Sequence, residues 1–408
     1  MPRNRLQTAA GRRAKVGTLH AAAVNPRLHV EVHDVPAHEC VDGAAWRDLA
    51  LESRGTPPQL LPGWQEVWWR RQATDKTHAV TLAAYRDTQL VGLLPLALRR
   101  GRSGLRVARV AGVDWAWSDG VLAAAGDRIE IARSLIESLA GTPYDVLCFD
   151  GLRTDSAVSS VCDLRTISLL PVPLVDLAET WEETFANLMS KRSRDKLASK
   201  WRRFEREHSV TRVVHRDAAA ISAAFPDYVR VHRARWSSLE MARHVRDVSP
   251  LADDVGVVFA RDALCGLADD GVGRLLVIEA DGVPVAFRQY AVIGDVLHGD
   301  RNEFDPAYAR YSLGLLAIAS AFEDAIADGV RLASLGNGND EYKHHLTSRT
   351  EPVVRGVFAG HGVRGATAAV AVARGYELRA TAHSLGAGSV KRVVRRFCAA
   401  FRSRSRHA

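Results

Sequence analysis

Cysteine is scarce in this 408-residue chain, and none of it is paired by spacing. Cys40, Cys148, Cys162, Cys265 and Cys398 are odd in number and form no C-x-x-C, so neither a disulfide framework nor a thiolate zinc site is supported. A reduced, cytosolic setting is expected. No stretch approaches the roughly 18 consecutive apolar residues of a membrane span. The basic start of the chain (Arg3, Arg5, Arg12, Arg13, Lys15) is not followed by an apolar segment of about 7–15 residues, so no secretion signal is expected. Several catalytic signatures are missing too. G-x-S-x-G fails at Ser312, where Arg310 stands in the first glycine position. There is no P-loop and no H-E-x-x-H. His344 and His345 are adjacent and would diverge on a helix, so no chelating pair is formed and no metal is expected.

What is present fits a soluble globular protein, with 47% hydrophobic and 25% charged residues. The length favours two domains. The net charge of +8 is concentrated at the ends. Residues 1–15 carry five Lys/Arg and residues 391–408 carry seven, with no acid in either stretch, so the body between is slightly acidic. A nucleic-acid-like surface is not implied.

Residues 1–28 read as a disordered basic tail. Thr56-Pro57-Pro58-Gln59 turns into a helix on which Trp64, Val67 and Trp68 recur at helical spacing as core. A hairpin follows: Ala79–Tyr85, a turn at 86–89, and Leu90–Leu98. The pattern returns much later in Leu275–Ala280, the Asp281-Gly282 turn, Val283–Val292, and Val296–Phe304 beyond Gly294-Asp295. Two such meanders, each with a helix before and a helix and strand after, predict a duplicated α/β unit. The boundaries expected are 29–175 for the first domain, 176–355 for the second, and a basic helical tail over 356–408.

Lys191–Arg203 holds seven Lys/Arg and one Asp, with Leu197, Trp201 and Phe204 on one seam. Its outer face is either solvated or turned to an acidic ligand or membrane. Residues 389–402 form a second basic amphipathic helix, with Val390, Val393, Val394, Phe397 and Phe401 as its stripe. That composition suits either an anionic membrane surface or docking on the body of the protein.

Residues 304–346 carry the most chemistry. A strand end and tight turn lead to a helix start at Tyr311-Ser312-Leu313-Gly314, where backbone N–H groups and the helix dipole favour a phosphate. A short strand, 331–335, and a polar loop ending in Tyr342 and Lys343 come next. Direct acyl transfer from a thioester needs this layout and few special residues: a held pyrophosphate, parted strands, a polarised carbonyl and one proton acceptor. Ser312 and Gly314 are pyrophosphate-binding candidates or a plain cap and turn. Arg310 is a phosphate partner or a surface ion pair. Tyr342 is a general acid for the leaving thiolate or a packed tyrosine. Lys343 is an anion contact or a solvated lysine. Asp119, Glu303 and Asp305 are candidate bases, Asp119 equally an ordinary Asp-Gly turn.

The chain resembles the cellulose-biosynthesis-associated (CelD/BcsL-like) acetyltransferases of the GNAT superfamily over roughly residues 45–350. The resemblance rests on Thr56-Pro57-Pro58-Gln59 with Trp64 and Trp68-Trp69, on Leu90–Leu96, on Asp305–Gly314 and on Asn339–Lys343. It implies an α/β (α+β) fold of two tandem GNAT-like domains, each a mixed, mostly antiparallel sheet flanked by helices and related in architecture to the Fem peptidyltransferases. It further implies acetyl-CoA or another acyl-CoA as co-substrate, held by Arg310, Tyr311, Ser312, Gly314 and Lys343, with an envelope or polysaccharide-related acceptor. The family's Q/R-x-x-G-x-G/A signature is here Arg310-x-x-x-Gly314-x-Leu316, one residue longer and without the second small residue. A longer acyl donor, or a charged tRNA as in the Fem-like relatives, therefore stays open beside acetyl-CoA, as does a GNAT-like scaffold without catalysis. The expected location is the cytoplasm, with peripheral contact at the inner membrane face as the role of the basic tail.

Overall fold

The computed structural model describes residues 28–53, 55–101, 103–113, 117–236, 251, 253–336, 343 and 346–384, with side chains as far as 378. Strand β1 (Leu28–His33) is followed by helices α1 (Ala37–Cys40), α2 (Gly43–Glu52) and α3 (Pro62–Gln72). Strands β2 (Thr77–Arg86), β3 (Gln89–Arg100) and β4 (Arg106–Val110) form the first meander, and β5 (Leu122–Ala123) adds to β3. Helix α4 (Arg128–Glu137) crosses over to β6 (Val146–Arg153), which lies parallel to β4. Helix α5 (Ala157–Val161) and strand β7 (Arg165–Asp176) end this half.

The second half repeats the plan. Helices α6 (Trp181–Leu188) and α7 (Lys191–Glu207) precede β8 (Val210–His215), α8 (Ala218–Arg235) and α9 (Asp254–Asp269). The meander β9 (Gly273–Ala280), β10 (Val283–Ile293) and β11 (Val296–Phe304) leads through helix α10 (Leu313–Ala327) to β12 (Leu332–Ser334), parallel to β11. Strand β13 (Arg349–Ala359) and helix α11 (Gly362–Ser384) follow.

These starts are written locally. Asp42, Thr180, Ser190, Asp217 and Asp253 each accept from a first-turn backbone N–H of the helix they precede, satisfying a donor that has no partner within the helix. The β9–β10 turn places Asp281 at φ 54° and Gly282 at φ 79°, two left-handed residues whose twist matches the flanking strands. On α7, Leu197, Trp201 and Phe204 are buried as the seam required. On α3 the buried residues are Gln65 and Val67, while Trp64 and Trp68 are half-buried. Gln65 turns inward because its amide donates to the carbonyls of Gln59 and Ala111.

The described strands make one continuous mixed sheet in the order β1-β2-β3-β4-β6-β13-β7-β12-β11-β10-β9-β8. The halves are interlocked. β7, from the first half, pairs with β12 of the second, and β13 inserts between β6 and β7. The expected boundary at 175/176 thus falls at the end of a strand that bridges both halves, and 355/356 falls inside β13. In the second half, one apolar cluster under α6, α7 and α10 includes Phe185, Trp201, Phe204 and Phe322. Another, under α8 and α9 on the opposite face, includes Phe225, Tyr228 and Phe287. Helix α3 crosses α9 with Gly63 against Gly266, too close for a Cβ on either. The Gly63 N–H donates to Asp270 at 2.8 Å across this junction. Among the described residues, no helix is long and apolar enough to cross a membrane.

Candidate functional site

The site is built where β11 and β12 part. The two strands pair only through Val296–Leu332, Leu297–Ala333 and His298–Ser334. Beyond that point β12 turns away, its Leu335 N–H donating to Pro173 of β7 instead. On its other side β11 shifts register against β10 between Arg288 and Tyr290, so that Asp300 and Arg301 face a single residue, Gln289. Such a bulge bends the strand and re-aims side chains. The corresponding parting in the first half, past Arg109–Cys148, is closed. Ser118 donates its N–H to Gly151 and accepts from the N–H of Arg153, taking the place of a missing strand.

Past Phe304 the chain makes a 3-10 turn, Pro306–Tyr311, with Asp305 accepting from the Ala307 N–H at 2.9 Å. Asp305, a base candidate from the sequence, is the cap of this turn. Ser312 then adopts a left-handed conformation (φ 59°, ψ 44°) and α10 begins. The Ser312 hydroxyl does not cap the helix. It accepts from Lys200 Nζ of α7 at 2.9 Å. A lysine at a helix N-terminus opposes the dipole, an arrangement that favours an anion between them. Gly314 is fixed by proximity: its carbonyl accepts from Asn302 at 2.9 Å, and a Cβ there would come within 3.2–3.3 Å of Asn302 and Phe304.

Arg310 and Tyr311 turn the other way. The Arg310 guanidinium pairs with Glu207 at 3.3 Å and lies over the Tyr311 ring at 4.7 Å. The buried Tyr311 donates its hydroxyl to the same carboxylate. The Tyr311 hydroxyl, first, and then Arg203 hold Glu207 down at about 2. Of the two readings of Arg310, this geometry is that of a surface ion pair tying the end of α7 to the turn.

The remaining candidates are scattered. Glu303 is buried on the α8 face, accepting from Arg235 at 3.1 Å and from the Trp236 indole, with His232 Nδ1 at 2.9 Å. Asp119 belongs to the first half, buried between Arg128 at 2.9 Å and Arg153 at 3.8 Å. Lys343 is 5% exposed, so it is not a solvated lysine. Tyr342 lies outside the described residues, as does the basic helix 389–402. The structure brings Ser312 and Gly314 together with Lys200 at the helix start, and leaves Glu303 and Asp119 in separate buried networks.

On the face covered by α9, a cavity of about 230 Å³ opens between the halves, lined in part by Gly299, Ser334 and Gly336. Pro57, Gln59 and Trp64 line it from the first half, with Trp117, and Gln289, His298 and Asp300 from the second. Gln289 donates to Asp300 at 2.8 Å. Burial lowers His298 to about 4, so its imidazole is neutral at pH 7. Trp117 donates its indole N–H to Glu351 of β13 at 3.0 Å and stands under the Arg153 guanidinium at 4.4 Å. It separates this cavity from a neighbouring one of about 470 Å³ lined by Arg153, Arg349 and Glu351. Sequence reasoning missed Gln289, His298, Asp300 and Lys200. The polar Arg288-Gln289 pair inside an apolar strand, and Gly299-Asp300 inside another, were the signals available.

No curated protein matches the chain. Among solved structures, one described as FemX aligns with a TM-score of 0.56 at 9% identity, over 80% of this chain and 96% of its own. The C-terminal domain of a putative lysylphosphatidylglycerol synthetase from Agrobacterium fabrum aligns at 0.47 and 14% identity, over 80% and 95%. A tandem GNAT protein from the clavulanic acid biosynthesis pathway aligns at 0.42 and 13% identity, over 82% and 99%. Residues 191–344, from the start of α7 through the helix start at Ser312 to Lys343, match the family model described as an acetyltransferase (GNAT) domain, and this half of the chain has a GNAT-type acyltransferase fold.

Proposed function

We propose that the protein moves an acetyl or other acyl group from acyl-CoA to an amine or hydroxyl of a cell-envelope or polysaccharide-related acceptor. The observation that carries this reading is the open parting of β11 and β12, with Lys200 and the start of α10 on one face and a polar cavity on the other. The donor's pyrophosphate would lie against Lys200, Ser312 and the first amides of α10, and its pantetheine would pair along the exposed edge of β11. The acceptor would enter the cavity among Trp64, Trp117 and Gln289. Asp300 is the carboxylate there that can take the proton lost on attack, with neutral His298 beside it as a hydrogen-bond partner. Tyr342 would deliver a proton to the departing thiolate. The envelope acceptor is suggested by the family resemblance.

Calorimetry on the full chain tests the donor. CoA should bind, and charged tRNA should not. Heat with charged tRNA alone would favour the second reading, an aminoacyl transferase of Fem type. One observation supports that alternative: Lys191, Arg192, Lys196, Arg202, Arg203 and Arg206 form an exposed basic face on α7. Tyr342→Phe should lower turnover more than donor affinity. We also propose that residues 389–408 attach the enzyme to anionic membrane. Their deletion should abolish sedimentation with anionic liposomes at low salt and spare CoA binding, and failure of the intact protein to sediment would end that idea.

A further inference from the structure

Strand β10 is an apolar run interrupted by Arg288 and Gln289, which point to opposite faces. Gln289 reaches Asp300 in the acceptor cavity. Arg288 lies on the face covered by α10, opposite Asn302, whose amide bonds the Gly314 carbonyl of that helix. Its guanidinium lies over Gly299, where a Cβ would strike Nη2 and come within 3.1 Å of the Ser334 carbonyl oxygen. Ser334 closes the last pair between β11 and β12, with His298. The guanidinium therefore sits at the apex of the parting.

Arg288 is 1% exposed, yet none of its three side-chain nitrogens has a hydrogen-bond partner among the described residues. The other deeply buried arginines are satisfied: Arg153 pairs with Asp155 at 3.0 Å, and Arg274 pairs with Asp324 and Asp328. A cation removed from water without a counter-charge is strongly unfavourable, because nothing replaces its hydration. Only Gly at 299 leaves room for it. Such a group, kept buried beside the parting of two strands and not replaced by an apolar side chain, marks a place where the charge is met by something outside the chain.

We propose that Arg288 receives a carboxylate carried by the substrate at the parting of β11 and β12. The proposal rests on the acyl-transfer reading of this site and adds that the group reaching the apex is acidic. A planar guanidinium with all its donors available presents a fork that matches a carboxylate. An acetyl group offers it no counter-charge, and the donor's phosphates are met by Lys200 and the helix start. The carboxylate has two sources: the free end of a dicarboxylic acyl group, or the acceptor itself.

Calorimetry on the full chain with succinyl-CoA and acetyl-CoA reads the first source. Succinyl-CoA should bind at least tenfold tighter, and Arg288→Met should erase the difference between the two. Thermal shift with free succinate and free glutamate reads the second. A rise in Tm that Arg288→Met abolishes assigns the carboxylate to the acceptor. If neither a succinyl preference nor an Arg288-dependent shift is seen, the proposal is overturned. If no CoA thioester binds, the acyl-CoA reading fails, and the thermal arm still decides the role of Arg288. Without ligand, Arg288→Met should raise Tm by removing an unpaired buried charge at similar volume. A lowered Tm or loss of folding in both Arg288→Met and Arg288→Gln would show that the guanidinium serves the fold, and would overturn the proposal as well.

Discussion

The two halves contain the same junction in opposite states. In each, a meander ends in a strand that runs parallel to the next one after a helical crossover, and the pair then parts. In the first half the gap past Arg109–Cys148 is closed by Ser118, and each nearby arginine has a carboxylate partner: Arg109 pairs with Asp150 at 2.9 Å, Arg355 pairs with the same carboxylate, and Arg106 pairs with Asp145 at 3.3 Å. In the second half the described residues leave the gap past His298–Ser334 without a backbone bridge, with Arg288 at its apex and Lys200 at the start of the helix between the two strands. The first junction has become part of the scaffold. The second keeps uncompensated positive charge at an opening between strands, which is what an anionic ligand requires.

Perturbing the closed junction should therefore cost stability, and perturbing the open one should cost binding. The largest effect is expected from Ser118→Pro. It removes the N–H that bonds Gly151 and forces the ring into the bridged gap, a loss of about 3 kcal/mol. Denaturant unfolding would measure it, and CoA affinity at a temperature where the variant is folded should be unchanged. A drop in affinity equal to that of second-half variants would remove the distinction between the halves. Lys200→Glu comes next. Reversing charge at the start of α10 should weaken CoA binding at least tenfold, about 1.4 kcal/mol, with a small change in Tm because Lys200 is only half-buried. Gly314→Asp is a less clean probe, since Asn302 and Phe304 already crowd that position and overpacking would add its own destabilisation.

The smallest effect concerns His298, at the last pair before the parting. Unfolded, its imidazole takes a proton below about 6.5; folded, burial holds it at about 4. Between these values the unfolded state binds the extra proton, so stability falls as pH drops from about 6.5 to 4 and is unaffected above 7. His298→Asn should flatten that fall by about 1 kcal/mol at pH 4, since the residue as a whole is half-buried and solvent screens part of the effect. Equal acid sensitivity in the variant would place the titrating group elsewhere.

Much of the molecule was legible residue by residue. Asp281-Gly282 determines a tight hairpin because two successive left-handed residues are needed there. Ser190 and the Leu197–Trp201–Phe204 seam determine the start and inner face of α7, because capping and helical period are local. The turn before α10 was likewise visible in Asp305-Pro306 and Ser312-Leu313-Gly314. By itself the sequence therefore determined the two meanders, their duplication, the inner face of α7 and the helix start at Ser312. Which partners met was decided only in three dimensions. The exchange of β7 and β13 between halves joins residues more than 170 positions apart, as in the Leu174–Arg349 pair, and no periodicity reports it. Arg310 was written like a phosphate ligand, yet Glu207, about a hundred residues earlier, claims it, while Lys200 takes the place beside Ser312. Arg288 is one more arginine in the sequence. Its meaning depends on burial without a counter-charge, and burial and charge balance are properties of the assembled core, set by every chain segment that packs around the group.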